Sequence, residues 1–161
     1  MAKKLTLKDI QFSPNAWLMD TLLNKVSVDV RGFWIDLLCY MHSCFPYGHL
    51  SKIPDLEALR KEGYEADGSF HSMHVDIPLH RVIPHAVPDY EGFMKMAGYT
   101  SEEVMYYIKI LKGEGIASCT DNGIIYSRRM RRDHLKKVRA FKNGSKGGHP
   151  SSFAAKEPAK V

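Results

Sequence analysis

Residues 116–139 read Ile116-Ala-Ser-Cys-Thr-Asp-Asn-Gly-Ile-Ile-Tyr-Ser-Arg-Arg-Met-Arg-Arg-Asp-His-Leu-Lys-Lys-Val-Arg139. Within this stretch, Asp121-Asn-Gly separates two runs that contain β-branched residues, 116–120 and 124–128, a pattern typical of a β-hairpin. From Met130 to Lys142 the pattern becomes that of a basic, mostly exposed helix, with a thin apolar seam of Leu135, Val138 and Phe141. We therefore expect a hairpin that leads directly into a basic helix.

Positive charge is concentrated in this helix. Residues 128–146 contain nine lysines or arginines and one acid, Asp133, which gives a formal charge of +8. The whole chain carries only +5, so the remainder sums to −3. Charge concentrated in one place indicates a polyanionic partner, and nucleic acid is the usual one. The expected phosphate contacts are Arg128, Arg129, Arg131, Arg132, Lys136, Lys137, Arg139 and Lys142.

Length and composition favour one domain with tails. The chain has 161 residues, of which 44% are hydrophobic, enough to form a core. No apolar signal core begins the chain, and no stretch approaches the roughly 18 apolar residues of a membrane span. Neither a nucleophile motif nor a phosphate-binding loop is present, so we expect neither an enzyme nor a cofactor. No Cys-x-x-Cys pair occurs, which favours reduced thiols in an intracellular protein at Cys39, Cys44 and Cys119.

Helical patterns dominate the first third of the chain. The clearest helix spans about Ser27 to Cys44, where one face carries Val30, Phe33, Trp34, Leu37, Leu38 and Met41. A short helical turn is expected after Ser13, with Pro14 at its first position. Residues 47–50, Tyr47-Gly-His-Leu, predict a brief strand.

A pair of helices precedes the hairpin. Tyr90 to Ala97 predicts a short helix, and Gly98 begins a turn. Thr100 and Glu103 form a capping box at the start of a second helix, about Ser101 to Lys112. Two helices joined by a short turn with glycine have the spacing of a helix-turn-helix. The second helix is expected to bury Val104, Tyr107, Ile108 and Leu111.

The outward face of the second helix mixes charges, because it carries Ser101, Glu102, Tyr106, Lys109 and Lys112. In a helix-turn-helix this helix enters the major groove of DNA. The candidate DNA contacts on it are therefore Ser101, Tyr106, Lys109 and Lys112. The alternative is that this helix only packs against the core, and that the basic segment alone holds the nucleic acid.

Residues 51–89 differ in kind, since they contain four prolines and four of the eight histidines. Periodicity is absent apart from a possible helical turn at Asp55–Arg60, which predicts a long irregular insertion. The expected boundaries are a flexible N-terminus at 1–11, a domain at 12–143 that contains this insertion, and a flexible tail at 144–161. We expect no metal site, because the histidines lack the paired spacing of zinc ligands: His71, His74, His80 and His85.

The order of helix, strand, helix-turn-helix and hairpin is the plan of a winged helix, with the hairpin as the wing. At this point the chain resembles the N-terminal winged-helix domain of phage and prophage replication-initiation proteins, the replisome organisers. The resemblance rests on Phe12-Ser-Pro-Asn-Ala-Trp-Leu-Met-Asp, Val30-Arg-Gly-Phe-Trp-Ile-Asp-Leu-Leu-Cys-Tyr-Met-His, Tyr47-Gly-His-Leu, Gly123-Ile-Ile-Tyr-Ser-Arg-Arg-Met-Arg-Arg-Asp and Gly144-Ser-Lys-Gly-Gly-His-Pro. It implies an α+β, mainly α, winged helix-turn-helix that binds double-stranded DNA in replication initiation or its regulation, in the cytoplasm of a bacterial host.

Two features depart from the family. Residues 51–89 stand where the family has a brief polar connection, and the C-terminal continuation that recruits replication partners in long members does not follow. We expect double-stranded DNA as the partner, a homodimer or higher array, and no membrane. The alternative is a protein-interaction module that uses residues 51–89, such as a phage-encoded inhibitor or adaptor of a host factor.

Overall fold

A computed structural model describes residue 10, residues 12–61 and residues 79–146 of the chain. Two short 3-10 turns, Leu23–Lys25 and Ile83–His85, accompany the helices and strands. The expected class, α+β and mainly α, is confirmed. The elements in order are α1 Pro14–Leu18, α2 Val28–His42, β1 Ser51–Lys52, α3 Leu56–Lys61, α4 Leu79–Val82, β2 Val87–Pro88, α5 Tyr90–Ala97, α6 Ser101–Gly113, β3 Ser118–Cys119, β4 Ile125–Tyr126 and α7 Arg128–Lys146.

Helix α2 is the central support of the core. Ser27 caps it, since the Ser27 hydroxyl accepts a hydrogen bond from the Val30 backbone N–H at 3.4 Å. Helices α5 and α6 both lie against it. The predicted apolar stripe is confirmed, with Leu38 partly buried and the other members buried: Val30, Phe33, Trp34, Leu37 and Met41.

The two helices before the hairpin form as predicted. Helix α5 ends at Gly98, whose φ of 79° lies in the left-handed region that favours glycine. Helix α6 begins with the expected capping box, in which the Thr100 hydroxyl accepts from the Glu103 N–H at 3.2 Å. The Thr100 N–H donates in return to the Glu103 carboxylate at 2.8 Å. Of the α6 residues expected in the core, Val104, Ile108 and Leu111 are buried and Tyr107 is partly buried.

The strands form two antiparallel pairs, β1 with β2 and β3 with β4. The residues just before β1 lie along β4: the Leu50 N–H donates to the Ile125 carbonyl at 2.8 Å, and the Ser127 N–H donates to the Gly48 carbonyl at 2.9 Å. The brief strand expected at 47–50 is therefore present only as a single bridge, His49 to Tyr126. Regular strand pairing begins at Ser51, where β1 pairs with β2 rather than with β4.

The insertion at 51–89 is more regular than predicted. It opens in β1 and closes in β2, which pair through Ser51 with Pro88 and Lys52 with Val87. The helical turn expected at 55–60 is confirmed as α3, and α4 follows before β2. Sequence periodicity missed this order because the pairing joins residues far apart in the chain. Residues 62–78, with His71 and His74, lie outside the described part.

Asp89 ties the base of the insertion to the core. Its carboxylate accepts from the Tyr40 hydroxyl at 2.6 Å and from the Gly92 N–H at 3.3 Å, and it lies 3.2 Å from the Lys52 ammonium. A side-chain carbon at Gly92 would collide with both Tyr40 and Asp89. This close approach explains why a glycine stands in the first turn of α5.

Helix α7 is longer than predicted at both ends. It begins at Arg128 rather than Met130 and continues through Asn143 and Gly144 to Lys146, so the predicted end at Lys142 is wrong. One glycine costs a helix only about 1 kcal/mol, which is too little to end a helix of this length by itself. Residues 147–161 of the expected tail lie outside the described part of the chain.

Candidate nucleic-acid interface

The start of α7 is fixed to the fold by backbone contacts. The buried Ser127 hydroxyl accepts from the Met130 N–H at 3.2 Å and so caps the helix. The Ser127 N–H in turn donates to the carbonyl of Gly48, whose φ is 76°. Since Met130 is also buried, the first turn of α7 is held on both its backbone and its apolar side.

Replacing Gly48 by alanine is expected to destabilise this junction by about 1–3 kcal/mol. The new side chain would require a left-handed backbone, and its β-carbon would lie 2.9 Å from that of Met130. Urea unfolding measures the effect. The control is Gly113→Ala, because Gly113 has no atom within 4 Å of such a carbon. A Gly48→Ala protein as stable as wild type would contradict the anchoring role.

One face of α7 is cationic. Among the α7 side chains that the structure describes, the exposed cations fall within about 100° of the helix circumference. The opposite side carries the buried Met130 and Val138, while Leu135, expected in the seam, is 40% exposed. We call this surface the basic face, and its members are Arg128, Arg129, Arg132, Lys136 and Arg139.

Two further predicted contacts, Arg131 and Lys137, are half-buried beside the basic face. The Arg131 guanidinium lies 5.8 Å from the centre of the Tyr126 ring, a cation–π geometry. That ring stacks on His49 at 5.1 Å. Arg131 is therefore held against β4, which makes it a weaker candidate for phosphate contact than its neighbours. Lys142 is the remaining predicted phosphate contact, and its side chain lies outside the described part of the chain.

The members of the basic face differ in how far they are engaged within the protein. Arg128 donates to the Gly115 carbonyl at 2.6 Å, just after α6. Arg129 lies 3.8 Å from Asp133, with both side chains partly exposed, so this ion pair contributes little. The other three members of the basic face, Arg132, Lys136 and Arg139, form no ion pair or hydrogen bond with the residues that the structure describes.

Helix α6 presents the outward residues that the sequence predicted. Ser101, Lys109 and Lys112 are exposed, as is Glu102, and Tyr106 is 62% exposed. The Arg128 hydrogen bond to Gly115 brings the start of the basic face to the end of this helix. The exposed surface of α6 remains less cationic than α7, because two exposed acids, Glu102 and Glu103, accompany its two lysines.

The hairpin tip contacts the insertion, which the sequence did not predict. The Asn122 amide donates to the Ile83 carbonyl at 3.0 Å and to the Ala86 carbonyl at 3.3 Å. Nothing in the local pattern around Asn122 identifies a partner some 36 residues earlier. Asp121-Asn-Gly also contains no cation, so the tip offers no charged contact to phosphate.

His134 lies on the inner side of α7. Burial, with a smaller contribution from Lys137, lowers the pKa of His134 to about 4. Its Nδ1 is buried and has no hydrogen-bond partner among the residues that the structure describes. Burial and then Asp133 raise the pKa of the neighbouring Tyr47 to about 12. Both groups are therefore neutral near pH 7, so the charge of α7 comes from its lysines and arginines.

The described residues contain no group of three or more His, Cys, Asp or Glu side chains arranged to hold a metal. The three cysteines are free thiols. Within the same residues, no helix has the length and apolar character needed to cross a bilayer. In comparisons with protein-family models, with curated proteins and with solved structures, the chain matches none.

Proposed function

We propose that this protein binds double-stranded DNA through the basic face of α7. The observation that carries this proposal is a group of exposed cations on one side of a helix whose first turn is fixed to the core. A fixed helix holds its charges in a constant arrangement, which lowers the entropy lost when they meet phosphates.

The dimensions of the basic face suit a DNA backbone. From Arg128 to Arg139 the helix rises about 17 Å. Duplex DNA carries one negative charge per about 1.7 Å of its axis, so a length of about 17 Å holds about ten phosphates, and those on the near side can meet the cations of the basic face. Such contacts orient a protein on the duplex and give affinity, but they carry no sequence information.

Sequence preference in this proposal comes from α6. Helices α5 and α6 and the hairpin follow one another in the order of a winged helix, and residues 48–50 lie beside β4 as its short strand would. In that plan, Ser101, Tyr106, Lys109 and Lys112 face the major groove. The resemblance of the sequence to phage replisome organisers extends this proposal to a role in replication initiation or its regulation.

A triple substitution tests the interface. Changing Arg132, Lys136 and Arg139 to alanine is expected to weaken binding to a random duplex about 30-fold or more at low salt, because three phosphate contacts are lost. Fluorescence anisotropy of a labelled duplex measures the affinity. The matched control removes three exposed cations elsewhere: Lys25, Lys61 and Lys95.

Three outcomes would count against the proposal. No duplex binding at low salt would exclude DNA as the partner. Equal losses in the two triple variants would show that net charge acts without a defined face. Full binding by the α7 variant, with loss on changing Lys109 and Lys112, would move the site to α6.

A further inference from the structure

A cleft of about 650 Å³ lies between α7, α2 and the segment that leads into α1. This volume falls within the range of about 300–1,000 Å³ that is typical of small-molecule sites. Aromatic side chains from three parts of the chain line it, namely Trp17, Trp34 and Tyr47. The cleft therefore offers an apolar surface suited to a planar ring.

Cations line the α7 side of the cleft. Arg129, Arg132 and Lys137 are among them. A shallower depression shares Arg129 and Lys137 with the cleft and reaches Lys136, so the cleft is continuous with the basic face. An anionic group at this side would meet several positive charges close to an apolar surface, where ion pairing is stronger than in open water.

Two acids also line the cleft, and one of them, Asp20, is engaged by backbone N–H donors. The Asp20 carboxylate accepts from the Leu22 N–H at 2.9 Å and from the Leu23 N–H at 3.1 Å. Asp133 lies 3.8 Å from Arg129. The cations outnumber these acids, so the lining is positive overall.

His134 also lines the cleft. Its Nδ1 is buried and has no hydrogen-bond partner among the described residues, as is also true of Arg31 Nε. The imidazole, which is neutral near pH 7, therefore adds a further planar ring to the lining of the cleft.

Charge distinguishes between possible occupants. Residues 1–9 carry three lysines and one aspartate, so a cationic lining repels this segment on balance. We propose that the cleft binds a small molecule in which a planar aromatic ring is joined to an anionic group, with the anion on Arg129, Arg132 and Lys137. This inference goes beyond DNA binding and does not depend on it.

A pair of probes that differ in one charge tests the inference. Anilinonaphthalene sulfonate has the ring and the anion, whereas phenylnaphthylamine has a similar ring system without charge. Trp17 and Trp34, which line the cleft, are the two tryptophans of the chain, so energy transfer from them reports probe binding, and the substitutions below then locate it. The sulfonate is expected to bind saturably, about tenfold more tightly than the uncharged probe.

Substitutions then locate the anion. Changing Arg129 and Arg132 together to alanine is expected to weaken sulfonate binding about tenfold and to leave the uncharged probe within about twofold. The control pair, Lys61→Ala with Lys95→Ala, removes the same charge from exposed positions outside the cleft and should leave both probes unchanged. Equal affinities for the two probes, no saturable signal, or an equal loss in the control pair would overturn the proposal.

Discussion

Raising the salt concentration from about 50 to about 200 mM is expected to weaken duplex binding about 500-fold. Each cation that neutralises a phosphate releases a condensed counterion, which lowers the logarithm of affinity by about 0.9 per tenfold rise in salt. The five cations of the basic face would therefore give a slope of about −4.5. Anisotropy titrations at four or more salt concentrations measure this slope.

Comparing the two triple variants shows which cations give rise to the salt dependence of duplex binding. With Arg132, Lys136 and Arg139 changed to alanine, two cations remain and the slope should fall to about −2. The control that lacks Lys25, Lys61 and Lys95 should keep the steeper slope. A wild-type slope near −1 would mean that α7 does not lie along the phosphates, even if the protein binds DNA.

We assign the steep salt dependence of DNA binding to α7 because the hairpin tip and α6 carry less positive charge. The hairpin tip has no cation, and Asn122 there is engaged by the carbonyls of Ile83 and Ala86. On α6, Glu102 offsets part of the attraction from Lys109 and Lys112. DNA affinity and DNA sequence preference would then reside on different helices, α7 and α6.

Local sequence signals predicted the helices that support this site. The Thr100–Glu103 capping box, the bounds of Tyr90–Ala97 and the apolar stripe of α2 were all identified correctly. Each signal lies within one or two turns of helix, where residue spacing fixes which side chains meet. The basic helix was predicted on the same grounds, although its C-terminal end was placed too early.

Contacts between distant residues were not predictable from these patterns. Gly48 fits against Met130, Asn122 bonds to Ile83, and Tyr40 bonds to Asp89. Residues 51–89 therefore resembled an irregular loop, although β1 and β2 pair at its base. Strand pairing of this kind depends on contacts between residues that are distant in the chain, and local patterns in a single sequence do not reveal such contacts.

In the candidate site, too, local features were predicted and contacts between distant residues were not. Sequence correctly located the cations on one helix, and the period of 3.6 residues places Arg132, Lys136 and Arg139 on one side of it. It did not show that Arg131 lies over the Tyr126 ring, which depends on how β4 meets α7. The cleft beneath α7 also depends on packing between separate elements and has no local signal.

Replacing Phe33 by alanine is expected to cost about 3–5 kcal/mol of folding free energy. Phe33 is fully buried on α2, and its ring centre lies 5.5 Å from that of Phe93, 5.0 Å from Tyr99 and 4.8 Å from Tyr107. The substitution would remove one ring from a cluster that joins α2, α5 and α6. Domains of this kind are stable by only about 5–15 kcal/mol, so much of the total would be lost.

Urea unfolding followed by circular dichroism measures the loss. Phe33→Leu keeps most of the buried volume and should cost clearly less than Phe33→Ala, because a smaller cavity is left. Met96→Ala is the surface control, since Met96 is 77% exposed and should change stability by no more than about 0.5 kcal/mol. Equal stabilities for Phe33→Ala and Met96→Ala would contradict the aromatic cluster as the support of α5 and α6. A large loss confined to Phe33 would mean that the helix pair is held in place from α2, so weaker DNA binding by that variant would reflect unfolding rather than a lost phosphate contact.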